Sequence, residues 1–315
     1  MAFLFVTPTW PTALWQAAMA KAAPELEVRT WPDGLGRVED IEYAAAWLPP
    51  PNVLKGLPNL KVIYSLGAGV DAILKDPTLP ENIPIVRVND DDLTKRMTEY
   101  VVLHVLLHHR QQRRIDANQK LRIWDNFATH AASALSVGIM GLGVMGRDSA
   151  LRLRDLGFRV AGWARSRKAI EDIECFAGAS EFDAFLARTD ILVSLLPATA
   201  DTDGIINRTT IRKLSRRGPF GAPIIINAGR GRQQVASDIL TCLDDGDLLA
   251  ATLDVFETEP LPADDPLWTH PRVTVTPHIA ADSDPEVICA YVAAQIERHK
   301  AGLPLLNLVD RARGY

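Results

Sequence analysis

The chain has 315 residues, 47% hydrophobic and 23% charged, and at ~150 residues per domain that length allows about two domains with cores of their own. A disordered chain, a collagen and a small disulfide scaffold are thereby excluded. Thirty-four Lys and Arg against 39 Asp and Glu leave a net charge of −5, which argues against a protein built to neutralise phosphate backbones, so nucleic acid is not an expected partner.

The opening Met1-Ala-Phe-Leu-Phe-Val-Thr-Pro8 has no basic leader and too short an apolar run for a signal peptide. No later run approaches membrane-spanning length, so no membrane association is expected and the chain is placed in the cytoplasm. Cys175, Cys242 and Cys289 are widely spaced without a CxxC pair, and are expected to be reduced and mostly buried. The first hundred residues alternate short β-rich runs (Phe3 to Val6, Glu27 to Thr30, Ala44 to Leu48, Lys61 to Ser65) with helical patterns such as Ala13 to Ala22. That alternation predicts βα units on a parallel sheet. The proline clusters Pro49–Pro51 and Pro77–Pro84 read as loops.

From Met97 to about Ile115 apolar residues recur at helical spacing, predicting a long helix that joins two lobes; Gln111 to Thr129 then turns polar and reads as irregular. Beyond it come predicted strands at Leu135–Met140, Arg159–Trp163, Ile191–Leu196, Pro223–Asn227, Ala250–Val255 and Val273–Thr276, with helical segments between most of them. This is the pattern of a doubly wound α/β domain. A closing helix is predicted over Pro285–Lys300. The Asn89–Asp92 run reads as support for the N-terminal end of the long helix, and His104, His108 and His109 as helix residues under an apolar cover, so no metal is expected.

Gly141-Leu-Gly143-Val144-Met145-Gly146 follows a predicted strand and opens a predicted helix. This is the context in which a GxGxxG turn brings backbone amides and a helix N-terminus to a dinucleotide pyrophosphate. An NAD site would carry an acidic residue about 20 residues further on. Here the second strand ends in Trp163-Ala164-Arg165-Ser166-Arg167-Lys168, with Arg165 placed 24 residues after Gly141. Arginines at that point suit a 2′-phosphate and no carboxylate repels it, so NADPH is favoured over NADH. The bland alternative is a solvated basic start to a helix.

Polar residues also follow three later strands: Arg230 in Asn227-Ala228-Gly229-Arg230-Gly231, Glu259 in Asp254-Val-Phe-Glu-Thr-Glu259-Pro260, and His278 in Thr276-Pro-His278-Ile279. Ligands of open α/β sheets bind at the carboxyl ends of strands. Taken singly, each is as well explained by a cap, a loop charge or a packed histidine.

With these motifs in order, the sequence resembles the D-2-hydroxyacid dehydrogenases, and within them the glyoxylate/hydroxypyruvate reductase A type. The resemblance extends over Ser65-Leu-Gly-Ala-Gly-Val-Asp71, Thr98-Glu-Tyr100, Leu195-Leu196-Pro197, Pro266-Leu-Trp268 and Val309-Asp-Arg-Ala-Arg-Gly-Tyr315 as well. It implies two lobes, a Rossmann dinucleotide-binding domain (98–280) inserted in a flavodoxin-like substrate domain (1–97 and 281–315). It also implies NADPH-dependent reduction of glyoxylate to glycolate and hydroxypyruvate to D-glycerate. In that scheme His278 is the general acid, Glu259 bonds to it and favours its charged form, and Arg230 binds the substrate carboxylate and polarises the carbonyl. Leu196, Pro197, Ala228, Gly229 and Asp254 join the glycine loop and Arg165–Arg167 on the cofactor side. Ala68, Gly69 and Trp47 join Arg230 and His278 on the substrate side, and Trp124 is a candidate contribution from the neighbouring subunit of a homodimer. Two alternatives stay open: the same chemistry on a larger 2-oxo acid, and a nucleotide-sensing scaffold without turnover.

Overall fold

The computed structural model describes residues 1–88, 90–282 and 284–314; Asn89, which opens the acidic run, and Tyr315, which ends the C-terminal motif, lie outside the described residues. The chain divides into two compact units, Met1–Leu93 with Asp282–Tyr315, and Thr94–Ala281. The sequence had put these crossings at 97/98 and 280/281.

The first unit contains β1 (Ala2–Val6), α1 (Ala13–Ala22), β2 (Glu27–Thr30), β3 (Ile41–Ala46), β4 (Val62–Ser65), the short α2 (Asp71–Leu74), β5 (Ile85–Arg87) and the C-terminal helix Pro285–Lys300. Its five strands are parallel in the order β2-β1-β3-β4-β5, which is the flavodoxin order. β1, β3 and β4 are covered on both faces, hence their almost unbroken apolar sequence. Asp284 caps the C-terminal helix by accepting from the Glu286 and Val287 amides. After that helix the chain returns to the sheet, where Leu308 bridges Val86 and Arg311 donates to the Pro80 and Ile83 carbonyls. β5 is three residues long and carries no alternation for a period-2 reading to find.

The second unit contains α3 (Asp91–His109), which begins at the boundary, α4 (Gln112–Leu121), β6 (Ser136–Met140), α5 (Val144–Asp155), β7 (Arg159–Ala164), β8 (Glu174–Ala177) and α6 (Phe182–Leu186). It continues through β9 (Ile191–Ser194), α7 (Arg208–Lys213), β10 (Ile224–Asn227), α8 (Ala236–Asp244), β11 (Ala250–Leu253) and β12 (Val273–Val275). All seven strands are parallel, in the order β12-β11-β10-β9-β6-β7-β8. Counted from β6 this is the dinucleotide-fold order 3-2-1-4-5-6 with a seventh strand added, and the order reverses between β6 and β9.

Two expectations are corrected here. The long helix stops at His109 and restarts after Gln111, whose φ of 54° is left-handed. Part of the stretch read as irregular is therefore helical. α4 buries none of its residues, so it has no apolar stripe for periodicity to detect. Asp90 accepts from the Leu93 amide at 2.9 Å and, with Asp91 and Asp92, places negative charge at the start of α3. Arg113 of α4 donates to the Pro271 and Val273 carbonyls and the Thr274 hydroxyl, and His108 reaches the Thr252 hydroxyl at 2.9 Å. These two side chains fasten α3 and α4 to β11 and the β12 edge.

Phe185 is fully buried beneath the second sheet, its ring centroid 6.0 Å from that of Phe176 and 6.4 Å from that of Phe182. Phe185→Ala is expected to destabilise this unit by about 3–5 kcal/mol through lost contacts and the cavity left behind. Urea denaturation followed by circular dichroism checks this.

Candidate active site

The glycine motif lies where β6 turns into α5. Gly141 has φ 101°, and a Cβ on Gly146 would lie 1.8 Å from the Gly141 carbonyl oxygen, so the helix and the turn meet at a distance only glycine permits. Gly143 stands at the N-cap, where no side chain caps α5, and no acidic residue occupies its first turn. The first amides of a helix have no partner within it and its N-terminus carries positive potential. This end of α5 is therefore built to receive an anion in front of Val144, Met145 and Gly146.

The Gly141 amide donates to the Trp163 carbonyl at 2.9 Å, which holds the carboxyl end of β7 beside the glycine turn. Arg165, Ser166 and Arg167 follow immediately and are exposed in an extended turn, not a helix start. Arg167 donates to the Cys175 carbonyl at 2.7 Å and pairs with Glu181, which orients its guanidinium. The donor set, an uncapped helix N-terminus with two exposed arginines beside it, suits a phosphorylated dinucleotide.

Leu196 and Pro197 follow β9, and Ala228 and Gly229 follow β10. Sequence reasoning missed the residues that join these loops. Gln233 is fully buried; its amide NH₂ donates to the Leu196 and Pro197 carbonyls at 2.7 and 3.1 Å, and its oxygen accepts from Ser194 at 2.9 Å. Gln234 accepts from the Asn227 side chain at 2.8 Å and donates to the Val255 carbonyl at 2.8 Å. Two adjacent glutamines after a glycine-rich turn carry no pattern that marks them in advance.

Arg230 precedes the turn Gly231–Gln233 and donates to the Gly229 carbonyl at 2.8 Å. A Cβ on Gly231 would lie 1.9 Å from the Phe256 carbonyl carbon, so this glycine lets the Arg230 turn lie directly against the Phe256–Glu259 loop. Glu259 accepts from the Phe256 amide at 2.8 Å through Oε1, and its Oε2 lies 2.7 Å from His278 Nδ1. The two side chains are each about one-third exposed, at 33% for His278 and 34% for Glu259. Desolvation pushes the Glu259 carboxyl up, but the His278 hydrogen bond, the Phe256 amide and the charges of His278 and Arg230 together hold it below the usual carboxylate range. Being ionised, Glu259 can only accept, so His278 Nδ1 carries the hydrogen of this bond.

Asp254, placed on the cofactor side by the sequence, is 1% exposed. Its oxygens accept from the Thr276 hydroxyl at 2.6 Å and the Ile279 and Ala280 amides at 3.0 and 2.9 Å. Its carboxylate thus holds the turn around His278.

The second unit therefore brings together Arg230, Glu259, His278 and the glycine and arginine loops at the carboxyl end of its sheet. Trp47, Ala68 and Gly69 belong to the first unit. Trp47 follows β3 and is stacked on Trp10 with ring centroids 5.0 Å apart, and a Cβ on Gly67 would lie 2.6 Å from its ring. Ala68 and Gly69 lie in the loop after β4, braced by the Ser65 hydroxyl donating to the Gly69 carbonyl at 2.7 Å. Trp124 lies beyond α4 and is 97% exposed.

The three α3 histidines His104, His108 and His109 are held by burial in the neutral form. Burial lowers the pKa of each, that of His108 to about 3, and among the described residues no group of three or more His, Cys, Asp or Glu is arranged to hold a metal. No helix among them is long and apolar enough to cross a membrane.

Because the Glu259 carboxyl titrates below its ordinary range, its contribution to stability is present above the unfolded-state value and is lost as pH falls through the folded one. His278→Gln removes both the hydrogen bond and the charge that lower it, so the Glu259 titration is expected to move to higher pH in that variant. Carboxyl ¹³C NMR reads this directly.

The family described as D-isomer specific 2-hydroxyacid dehydrogenase, NAD binding domain, matches residues 102–280. A relative in Salmonella enteritidis, glyoxylate/hydroxypyruvate reductase A, is 41% identical over 320 residues, covering 100% of both chains. Among solved structures, an NADPH-dependent glyoxylate/hydroxypyruvate reductase from Sinorhizobium meliloti in complex with NADP and sulfate is 46% identical, with a TM-score of 0.95 over 100% of both chains. A probable 2-hydroxyacid dehydrogenase from Rhizobium etli in complex with NADP, HEPES and L(+)-tartaric acid is 42% identical, with a TM-score of 0.93 and the same coverage. With a dinucleotide-fold sheet, a glycine turn at an uncapped helix and a carboxylate–histidine pair on adjacent strand ends, the chain belongs to the D-isomer specific 2-hydroxyacid dehydrogenase family.

Proposed function

We propose that the protein reduces short 2-oxo acids, glyoxylate to glycolate and hydroxypyruvate to D-glycerate, with NADPH as the reductant. The observation that carries this reading is the 2.7 Å bond between Glu259 and His278 Nδ1, in the unit that also presents the glycine turn and the Arg165–Arg167 loop. NADPH supplies the hydride when bound.

The amides of Val144, Met145 and Gly146 meet the pyrophosphate. Arg165, Ser166 and Arg167 meet the 2′-phosphate by charge-assisted hydrogen bonds, with Glu181 fixing the reach of Arg167. Leu196, Pro197, Ala228 and Gly229 line the same edge, the first two backbones fixed by Gln233 and the last by Asn227. Arg230 holds the substrate carboxylate and draws electron density from the C2 carbonyl, stabilising negative charge on its oxygen as reduction proceeds. With Nδ1 bonded to Glu259, the proton that His278 delivers to that oxygen is the one on Nε2, and the carboxylate balances the imidazolium charge until delivery. The family resemblance assigns Ala68, Gly69 and Trp47 of the first unit a part in binding the acid, Trp47 in limiting its size.

Relatives that bear the name glyoxylate/hydroxypyruvate reductase A over their full length support the substrate class, and solved neighbours with NADP bound support the cofactor. The working form is a homodimer, in which a second copy covers the exposed Leu121, Ile123 and Trp124. Free Cys175, Cys242 and Cys289 suit the reducing cytoplasm.

Loss of nicotinamide absorbance with glyoxylate and then hydroxypyruvate tests the reading, with NADPH turned over in preference to NADH. His278→Gln is expected to lower kcat by about a hundredfold or more while NADPH still binds. Arg165→Ala combined with Arg167→Ala is expected to raise KM for NADPH far more than for NADH; equal effects would remove the arginines from the phosphate. Trp47→Ala is expected to admit bulkier 2-oxo acids, and an unchanged substrate range would remove Trp47 from the pocket wall.

A further inference from the structure

His278 has φ 55°, a left-handed backbone conformation that a side-chain-bearing residue rarely adopts and that persists only when its surroundings enforce it. Besides a bond from the His278 amide to the Thr276 carbonyl at 3.0 Å, three contacts of the turn lead to Asp254. The His278 amide donates to the Asp254 carbonyl at 2.9 Å, and the next two amides, of Ile279 and Ala280, each take one oxygen of the Asp254 carboxylate. The turn is thus wrapped around a buried acceptor that water does not reach. The Thr276 hydroxyl also donates to Asp254, at 2.6 Å, and stands 2.8 Å from the hydroxyl of Tyr100 on α3. A threonine hydroxyl has one hydrogen, here given to the carboxylate, so Tyr100 is the donor in the outer bond. Burial pushes the Tyr100 phenol well up, which keeps that proton in place.

We infer that Tyr100 and Thr276 are positioning residues for His278, acting through Asp254 to hold the turn in the orientation that aims the imidazole at the substrate carbonyl. This rests on the reading of His278 as the acid. In this scheme His278 delivers its proton to the reacting oxygen and Arg230 polarises the carbonyl, whereas Tyr100 and Thr276 act only through the turn. The hydroxyl of Tyr100 works three bonds away, by keeping the Thr276 hydroxyl turned to Asp254. Without it the half-buried Thr276 oxygen loses its donor, and the alternative rotamers of Thr276 release the carboxylate.

The test uses the full-length enzyme. Tyr100→Phe and Thr276→Val each remove one hydroxyl and leave the packed shape. Both are expected to lower kcat about tenfold, the scale of one misaligned buried hydrogen bond, with KM for NADPH unchanged and a larger solvent deuterium isotope effect on kcat as protonation becomes slower. Thr276→Ser, which keeps the hydroxyl, is expected to recover most of the rate. The inference is overturned if kcat stays within about twofold of the parent in both variants while His278→Gln is inactive. It is also overturned if Thr276→Ser is as slow as Thr276→Val, or if kcat and cofactor binding fall together, which marks a general loss of structure. An active His278→Gln enzyme overturns the acid assignment itself, and this inference with it, so the two failures are told apart.

Discussion

Parallel strands end in backbone groups that have no ladder partner beyond the last residue, and in the second unit those ends carry the candidate site residues. The buried side chains Ser194, Asn227, Gln233, Gln234 and Asp254 resolve this. Gln233 ties the β9 loop, Gln234 joins β10 to the β11 loop, and Asp254 ties β11 to the turn after β12. Each amide or carboxylate donates or accepts on both sides, so the set is satisfied as a whole. Leaving one partner unpaired in such a place costs about 1–3 kcal/mol, more than a typical exposed contact provides. This polar layer braces the Arg230 turn and the His278 turn.

The same layer explains how Glu259 and His278 sit on loops yet keep a defined geometry. A histidine and a carboxylate on separate loops would ordinarily lose conformational freedom on meeting. Here the Phe256 amide orients Glu259 and the Asp254 cage orients His278 before the two come together. In the first unit an aromatic stack plays the corresponding part. Trp47 is held by Trp10 on one side and by the absence of a side chain at Gly67 on the other.

Much of this was legible from residues alone. Apolar runs marked the central strands because parallel strands buried on both faces have no polar alternation to blur them. The glycine spacing marked the dinucleotide turn because close approach admits no other residue. Short edge strands such as β5 and β8, and α4 with its exposed or half-buried residues, were not legible, since they bury little and leave no period. Gln233, Gln234, Thr276 and Tyr100 escaped for a different reason. Their importance lies in a partner far along the chain, and Tyr100 lies 176 residues from the threonine it bonds. Asp254 was singled out by motif, but its orientation, inward to a turn, follows only from three dimensions.

The seventh strand, β12, lies at the edge of its sheet. Its inward carbonyl at Arg272 accepts from Ala251, so the carbonyls of Pro271 and Val273 point outward, and Arg113 covers both. An open parallel edge is a template for a foreign strand, and pairing there would pull on the residues that lead directly into the His278 turn. A guanidinium laid across those carbonyls closes the edge to β-augmentation and keeps a strand-to-strand aggregation route away from the most sensitive loop of the molecule.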